Sequence, residues 1–281
     1  MIEFSKYNYT YGELAQRGNN IIEKELQALN KQKVLKRILS LIDLTTLSGD
    51  DTEKRITDLC NKATSYENKV TGISNVAAVC VYPIFAKLVS SLLSSTEVKT
   101  ACVAGAFPSG QSPLNIRLLE VEDAVNNGAE DIDMVISRGK LIEGNFNYVY
   151  NEVAAIKKKC GKAHLKVILE TGELGTVQNI RKASELSILA GADFIKTSTG
   201  KIQPAATIEA FIIMLDTIKE YFDKTGIMIG IKPAGGISEV DDAIIYYFLV
   251  SEILGEKWLN NQYFRIGASR LADNVYAEII K

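Results

Sequence analysis

Eight short apolar runs alternate with longer amphipathic stretches along most of the chain, and this alternation limits the possible folds more than any other feature. The runs are ILSLIDL (38–44), VAAVCV (76–81), TACVAG (100–105), DIDMVI (131–136), HLKVIL (164–169), DFIKTS (193–198), IMIGIK (227–232) and YFRIGA (263–268). Short runs rich in β-branched residues read as strands, and the stretches between them carry helical spacing. In SPLNIRLLEVEDAVNNGA, Ser112 reads as a helix cap, with Pro113 just after it. NNGAEDI and GADFI place a glycine at a helix end just before the next strand. Eight strand–helix units predict an α/β chain folded as a (β/α)8 TIM barrel. A doubly wound open sheet is the alternative, but no G-x-G-x-x-G follows the first run, which weakens its dinucleotide-binding form. Residues 1–36 differ from the rest: IIEKELQALNKQKVLKRI, from Ile21, predicts one or two extra helices outside the main fold. The expected organisation is an N-terminal helical extension (1–36) and one barrel domain (37–281), with no Pro-, Gly- or Ser-rich linker.

A length of 281 residues suits a single barrel, which typically needs about 250. With 32 basic and 34 acidic residues, the chain lacks the electrostatic footprint of a nucleic-acid binder. There is one histidine, His164, so any histidine-based triad must use it and a multi-histidine metal site is excluded. Acid–base chemistry falls to Lys, Asp, Glu, Tyr or Cys. The four cysteines form no C-x-x-C pair, which argues against zinc-ribbon and thioredoxin readings and for a reducing compartment. The N-terminus does not read as a signal peptide, and no apolar stretch approaches the roughly 20 residues of a membrane span. A cytoplasmic protein with no membrane partner is expected.

Side chains alternate along a strand, so one face of each run packs on helices and the other points into the barrel. In the seventh run Ile227, Ile229 and Ile231 are expected to face the helices, which turns Lys232 inward. The same sorting turns Asp131 and Asp133 inward in the fourth run, and His164, Lys166 and Glu170 in the fifth. Lys196 shares a face with Phe194 and Ser198, and Asp43 shares one with Thr45. His164 lies two residues before Lys166 and reads as a core residue. A single inward lysine reads as a structural ion pair or a snorkelling strand end. Three lysines among carboxylates point to catalysis, because barrel active sites sit at the C-terminal strand ends.

An amine attacks a carbonyl only when neutral, and an ordinary lysine is neutral in on the order of one molecule in 2,500 at pH 7. Burial and a neighbouring cation lower that pKa. Lys196 and Lys232, on adjacent strands, are expected to do this to each other. The product is a protonated Schiff base, an electron sink for C–C bond cleavage, with Asp133 moving protons through water and Lys166 keeping it ionised. Gly235-Gly236 after the seventh run and Gly267-Ala268-Ser269 closing the eighth sit where barrels often bind phosphate. A helix starting near Ser238 would add its N-terminal dipole, and Lys201 a cation.

At these residues the chain resembles the deoxyribose-phosphate aldolase family, class I aldolases with a (β/α)8 fold. The segments IDLTTLSGDDT, VAAVCVYPIF, VAGAFPSG, GAEDIDMVI, LKVILETGEL, GADFIKTSTGK, IKPAGGIS and FRIGAS follow the family's order across nearly the whole barrel. The KTSTG and KPAGG pair is highly specific to that family. The resemblance implies reversible cleavage of 2-deoxy-D-ribose 5-phosphate to D-glyceraldehyde 3-phosphate and acetaldehyde, without cofactor or metal. It implies that Lys196 forms the Schiff base, Lys232 perturbs its pKa, Asp133 transfers protons and Lys166 supports Asp133. It further implies substrate contacts from Asp43, Thr45, Cys80 and Thr199, and phosphate contacts from Gly200, Lys201, Gly235, Gly236, Ser238, Gly267 and Ser269. The chain departs from relatives at Ser238 and Arg270, which implies a rearranged charge balance around the phosphate. The sequence reads to Ile280-Lys281 without a terminal tyrosine, so proton-transfer help from a tyrosine-bearing tail is not expected. Two other readings stay open: a related aldolase for another phosphorylated sugar, and a non-catalytic sugar-phosphate-binding barrel. The extra helices could cap the barrel's base or form an interface, so a homodimer is also open.

Overall fold

The computed structural model describes residues 2–67 and 72–281. Two helices come first, α1 (Tyr11–Gln27) and α2 (Lys31–Leu39). The chain then runs β1 (Ile42–Thr45), α3 (Glu53–Ala63), β2 (Ala78–Val81), α4 (Ala86–Leu93), β3 (Lys99–Val103), α5 (Leu114–Asn126), β4 (Asp131–Val135), α6 (Arg138–Ile142) and α7 (Phe146–Cys160). It continues with β5 (His164–Ile168), α8 (Thr171–Leu174), α9 (Val177–Leu189), β6 (Phe194–Lys196), α10 (Ile208–Thr225), β7 (Gly230–Lys232), α11 (Val240–Ile253), β8 (Ile266–Ala268) and α12 (Leu271–Ile279). Among the described residues, eight strands form one sheet in the order β7-β6-β5-β4-β3-β2-β1-β8, and every paired neighbour is parallel. Bridges Ile231–Phe264 and Ala234–Gly267 bring the two edges together. The result is a nearly closed (β/α)8 barrel, as the alternation predicts. No helix among the described residues is long and apolar enough to cross a membrane.

Local chemistry sets the helix ends. α1 starts at a capping box in which the Thr10 hydroxyl accepts from Glu13 N at 3.3 Å and the Glu13 carboxylate accepts from Thr10 N at 2.8 Å. Thr52, Thr176 and Thr207 cap α3, α9 and α10 in the same threonine style. Ser112 does not cap α5. Pro113 holds the cap position with an extended ψ of 141°, so the helix begins one residue later than expected.

The structure corrects three strand-level expectations. Ile38 and Leu39 belong to the last turn of α2, whose buried face is Val34, Leu35, Ile38 and Leu39. A helical stripe running straight into a strand looks like one long apolar run. β7 starts only at Gly230, and Ile227 is 52% exposed rather than packed on helices. His164 opens β5 at the barrel's N-terminal rim with its side chain 43% exposed, so it is not a core residue.

The N-terminal helices lie on their own chain's outer ring. α1 packs on α10 and α11, and α2 on α11 and α12. Arg17 makes a two-pronged pair with Asp216, at 2.7 and 2.9 Å. The sequence-based division at 36/37 falls inside α2.

The barrel interior has two sides. Ala78 and Cys80 of β2 and Ala101 and Val103 of β3 form a small apolar cluster of their own. The charges gather on the remaining strands. There the Phe194 ring fills the floor, with Lys166 Nζ 5.8 Å from its centroid. Gly230 makes room for it, since a Cβ there would come within 2.3 Å of the ring.

Candidate active site

Strand register assembles the site. β6 and β7 pair so that Lys196 lies beside Lys232. β4 and β5 pair Asp133 with Lys166, two residues nearer the barrel's base than Ile168, which pairs with Lys196. Residues in register point the same way, so these side chains meet on the axis.

Asp133 Oδ2 accepts from Lys196 Nζ and Lys232 Nζ, each at 2.8 Å, while Lys166 Nζ lies 3.3 Å from Oδ1. Lys232 also donates to Asp43 Oδ2 at 2.5 Å. Lys166 pairs with Asp131 at 2.6 Å. Arg265 pairs with Asp43 at 2.7 Å and Asp131 at 3.3 Å. All seven groups are buried.

Four cations face three carboxylates, so the cluster is charge-balanced only if one cation is neutral. Lys196 is the one of the four whose pKa is lowered. Burial lowers its pKa, Asp133 opposes this, and the Lys232 cation lowers it again, leaving it below the ordinary lysine value. The others stay charged. Burial also disfavours charge on Lys232, but Asp133 and Asp43 outweigh it and raise its pKa. Burial is likewise outweighed at Lys166 by Asp131, Asp133 and Asp43, and at Arg265 by Asp43 and Asp131. At Asp133 the effect of burial is overcome by Lys166, Lys196 and Lys232, which hold the carboxyl well below its usual range. A carboxylate held this firmly is a weak base while all three lysines point at it. Cys80 sits in the same interior, fully buried, and burial followed by Asp133 pushes its thiol up to about 11.

A cavity of about 440 Å³ opens above the cluster at the C-terminal strand ends. Lys196 is the one member of the cluster that lines it; the other six lie beneath. The wall includes Thr45, Thr199, Gly200, Lys201, Gly235, Gly236, Ser238, Gly267 and Ser269, so every phosphate-binding residue expected from sequence borders one space. Asp43, Asp133, Lys166, Lys232 and Cys80 do not line it. Gly235 is required where it stands: its φ is +86°, and a Cβ there would lie 2.6 Å from Ala205 Cβ and 3.0 Å from Gly200 Cα. Lys201 Nζ donates to Leu47 O at 2.6 Å, bridging the loops after β6 and β1. Thr45 donates to its own strand at Asp43 O, 2.8 Å away.

The helix expected near Ser238 starts at Val240, and its first turn carries Asp241 and Asp242, which disfavour an anion at that end. Arg270 lines the cavity instead, at the start of α12, together with Ser238. It makes no ion pair among the described residues, so its guanidinium is free to meet an anion. Alternation along the strand turns Asp131 inward but suggests no role for it, and Arg265 lies outside the inward set read from sequence. The signal for Arg265 existed: it lies two residues before Gly267 and shares its face.

Residues 37–247 match the family model for DeoC/LacD family aldolases. The chain belongs to the DeoC/LacD aldolase family. This aldolase is 44% identical to the Homo sapiens deoxyribose-phosphate aldolase over 269 residues, covering 92% of this chain and 83% of the human protein. It is 43% identical to the Mus musculus deoxyribose-phosphate aldolase over 271 residues, at 92% and 83% coverage. Its structure matches that of the Aeropyrum pernix deoxyribose phosphate aldolase, described as tetrameric, with a TM-score of 0.70 and 26% identity over 94% of this chain and 98% of the other.

Proposed function

We propose that this aldolase cleaves 2-deoxy-D-ribose 5-phosphate reversibly to D-glyceraldehyde 3-phosphate and acetaldehyde through a Schiff base on Lys196. The observation that carries the reading is Lys196 itself, the only lysine of the buried cluster exposed to the cavity and the only one with a lowered pKa. The neutral amine attacks the sugar's aldehyde carbon, water leaves, and a protonated imine remains. Its positive nitrogen draws in the electron pair of the C2–C3 bond as the C3 hydroxyl loses its proton. Glyceraldehyde 3-phosphate departs, leaving an enamine, which takes a proton at carbon and is hydrolysed to acetaldehyde. Asp133 holds the nitrogen in place and moves protons through water once Lys196 has turned to the substrate. Lys232 keeps the free amine's pKa low, and Lys166 holds Asp133 from below. Asp43 anchors Lys232. Thr45 and Thr199 face the sugar from the cavity wall, and Cys80, a neutral thiol, packs in the barrel interior without reaching the cavity.

The phosphate sits at Gly200, Lys201, Gly235, Gly236, Ser238, Gly267 and Ser269. Backbone N–H groups of glycine turns approach an anion closely, and Lys201 brings a positive charge. The iminium supplies the electron sink, so the cycle leaves no task for a metal. The four buried free cysteines support a reducing compartment, and we infer a cytoplasmic enzyme. The barrel, from β1 to α12, carries this chemistry.

A coupled assay for glyceraldehyde 3-phosphate tests the reading. Turnover of deoxyribose 5-phosphate that is unchanged in EDTA is expected. Absence of turnover would refute the substrate; loss in EDTA with recovery on adding a divalent ion would refute the metal-free cycle.

A further inference from the structure

Glu170 directly follows Leu169 at the end of the β5 segment and is fully buried. Its backbone is left-handed, with φ 57° and ψ 59°. Only one other described non-glycine residue, Ala106, has a positive φ. A side chain rarely adopts this geometry without a compensating contact, and such outliers gather at functional sites. The contact is on the neighbouring loop. Glu170 Oε1 accepts from Thr199 N at 3.2 Å, and Oε2 accepts from the Thr199 hydroxyl at 2.5 Å. The Thr199 oxygen accepts in turn from Lys201 N at 3.1 Å. One carboxylate thus fixes the turn Thr199–Gly200–Lys201, every residue of which lines the cavity, while Glu170 itself does not.

Arg138, after β4, braces the arrangement. Its Nη1 lies 3.4 Å from Glu170 Oε2, its Nε pairs with Glu173 at 2.9 Å, and it donates to Ser109 O at 3.1 Å. The loops after β3, β4, β5 and β6 are therefore tied together by side chains.

We propose that Glu170 is a positioning residue that sets the Thr199–Gly200–Lys201 turn to receive the substrate's phosphate, with Arg138 bracing it from the next loop. The inference rests on the phosphate-binding part of the proposed function. Glu170 touches neither the lysine cluster nor the cavity, so its effect should fall on binding of the phosphate end and not on chemistry at Lys196.

The test uses Glu170→Ala and Glu170→Gln in the full chain. Steady-state kinetics are measured with deoxyribose 5-phosphate and with phosphate-free 2-deoxyribose. Inhibition by inorganic phosphate and borohydride trapping of acetaldehyde on Lys196 are measured alongside. Glu170→Ala should raise KM for the phosphorylated sugar and Ki for phosphate by about ten- to a hundred-fold, the loss expected for charged hydrogen bonds. kcat and the turnover of phosphate-free sugar should stay within about two-fold, the pattern of lost uniform binding. Glu170→Gln keeps an acceptor for Thr199 N and should show a smaller rise of the same kind. It decides the matter if the alanine variant melts below assay temperature. Equal losses on both sugars, loss of acetaldehyde trapping, or unchanged KM and Ki in a folded variant would overturn the proposal. Failure of the functional reading is separate, because it shows as a wild-type protein that neither cleaves nor is trapped.

Discussion

Lys196→Ala is expected to abolish cleavage of deoxyribose 5-phosphate, lowering kcat on the order of 10⁴-fold or more, as removal of a covalent nucleophile does. Nothing else in the cavity can take over. The other two lysines of the cluster lie beneath the floor, paired with carboxylates and held protonated. Lys201 reaches the rim, but its ammonium is turned to Leu47 O. The fold should survive the change. Asp133 keeps Lys232 at 2.8 Å and Lys166 at 3.3 Å, so no carboxylate of the cluster is left without a cation. A normal thermal melt with no turnover is therefore expected. A folded variant retaining more than about one per cent of wild-type kcat would place the nucleophile elsewhere.

Lys232→Met should have the second-largest effect, and it should differ in kind. The nucleophile remains, but the cation that lowers its pKa is gone, and Asp133 keeps only two of its three lysines. Both changes favour the protonated form of Lys196. Its pKa rises, so the acid limb of the kcat/KM profile moves to higher pH, and activity at neutral pH falls on the order of 10²-fold. Part of the loss should return as pH is raised. Stability should fall by about 3–5 kcal/mol, the cost of removing one partner from a buried ionic cluster. A pH–rate profile with an unmoved acid limb would show that Lys232 does not act through the pKa of Lys196.

The order of strands and the inward set Asp43, Asp133, Lys166, Lys196 and Lys232 were legible because parallel barrel strands write their pleat directly into sequence. A charge at every second position among Ile and Val can only point inward. What failed was local. Ile38 and Leu39 read as strand in sequence because an amphipathic helix ends where β1 nearly begins. Ile227 precedes the start of its strand by three residues, so its apolar character does not signal burial. His164 reads as core because the pleat gives the direction of a side chain but not its depth along the axis.

The ties that shape the mouth were not legible. Glu170 and Thr199 are 29 positions apart, and their contact needs a left-handed backbone that no propensity of glutamate suggests. Alternation turns Glu170 inward, yet a residue past the strand's last ladder bond no longer obeys it. In sequence Arg270 stands out only as a departure from relatives. Its place on the cavity wall depends on where α12 starts, which a strand–helix pattern fixes only to within a few residues.

The most direct measurement of the central claim is borohydride reduction of the wild-type protein in the presence of deoxyribose 5-phosphate or acetaldehyde, followed by peptide mass mapping. The account predicts a single reduced adduct on Lys196, absent without borohydride. An adduct confined to Lys232, Lys166 or Lys201, or no adduct in a preparation that still cleaves the sugar, would contradict it.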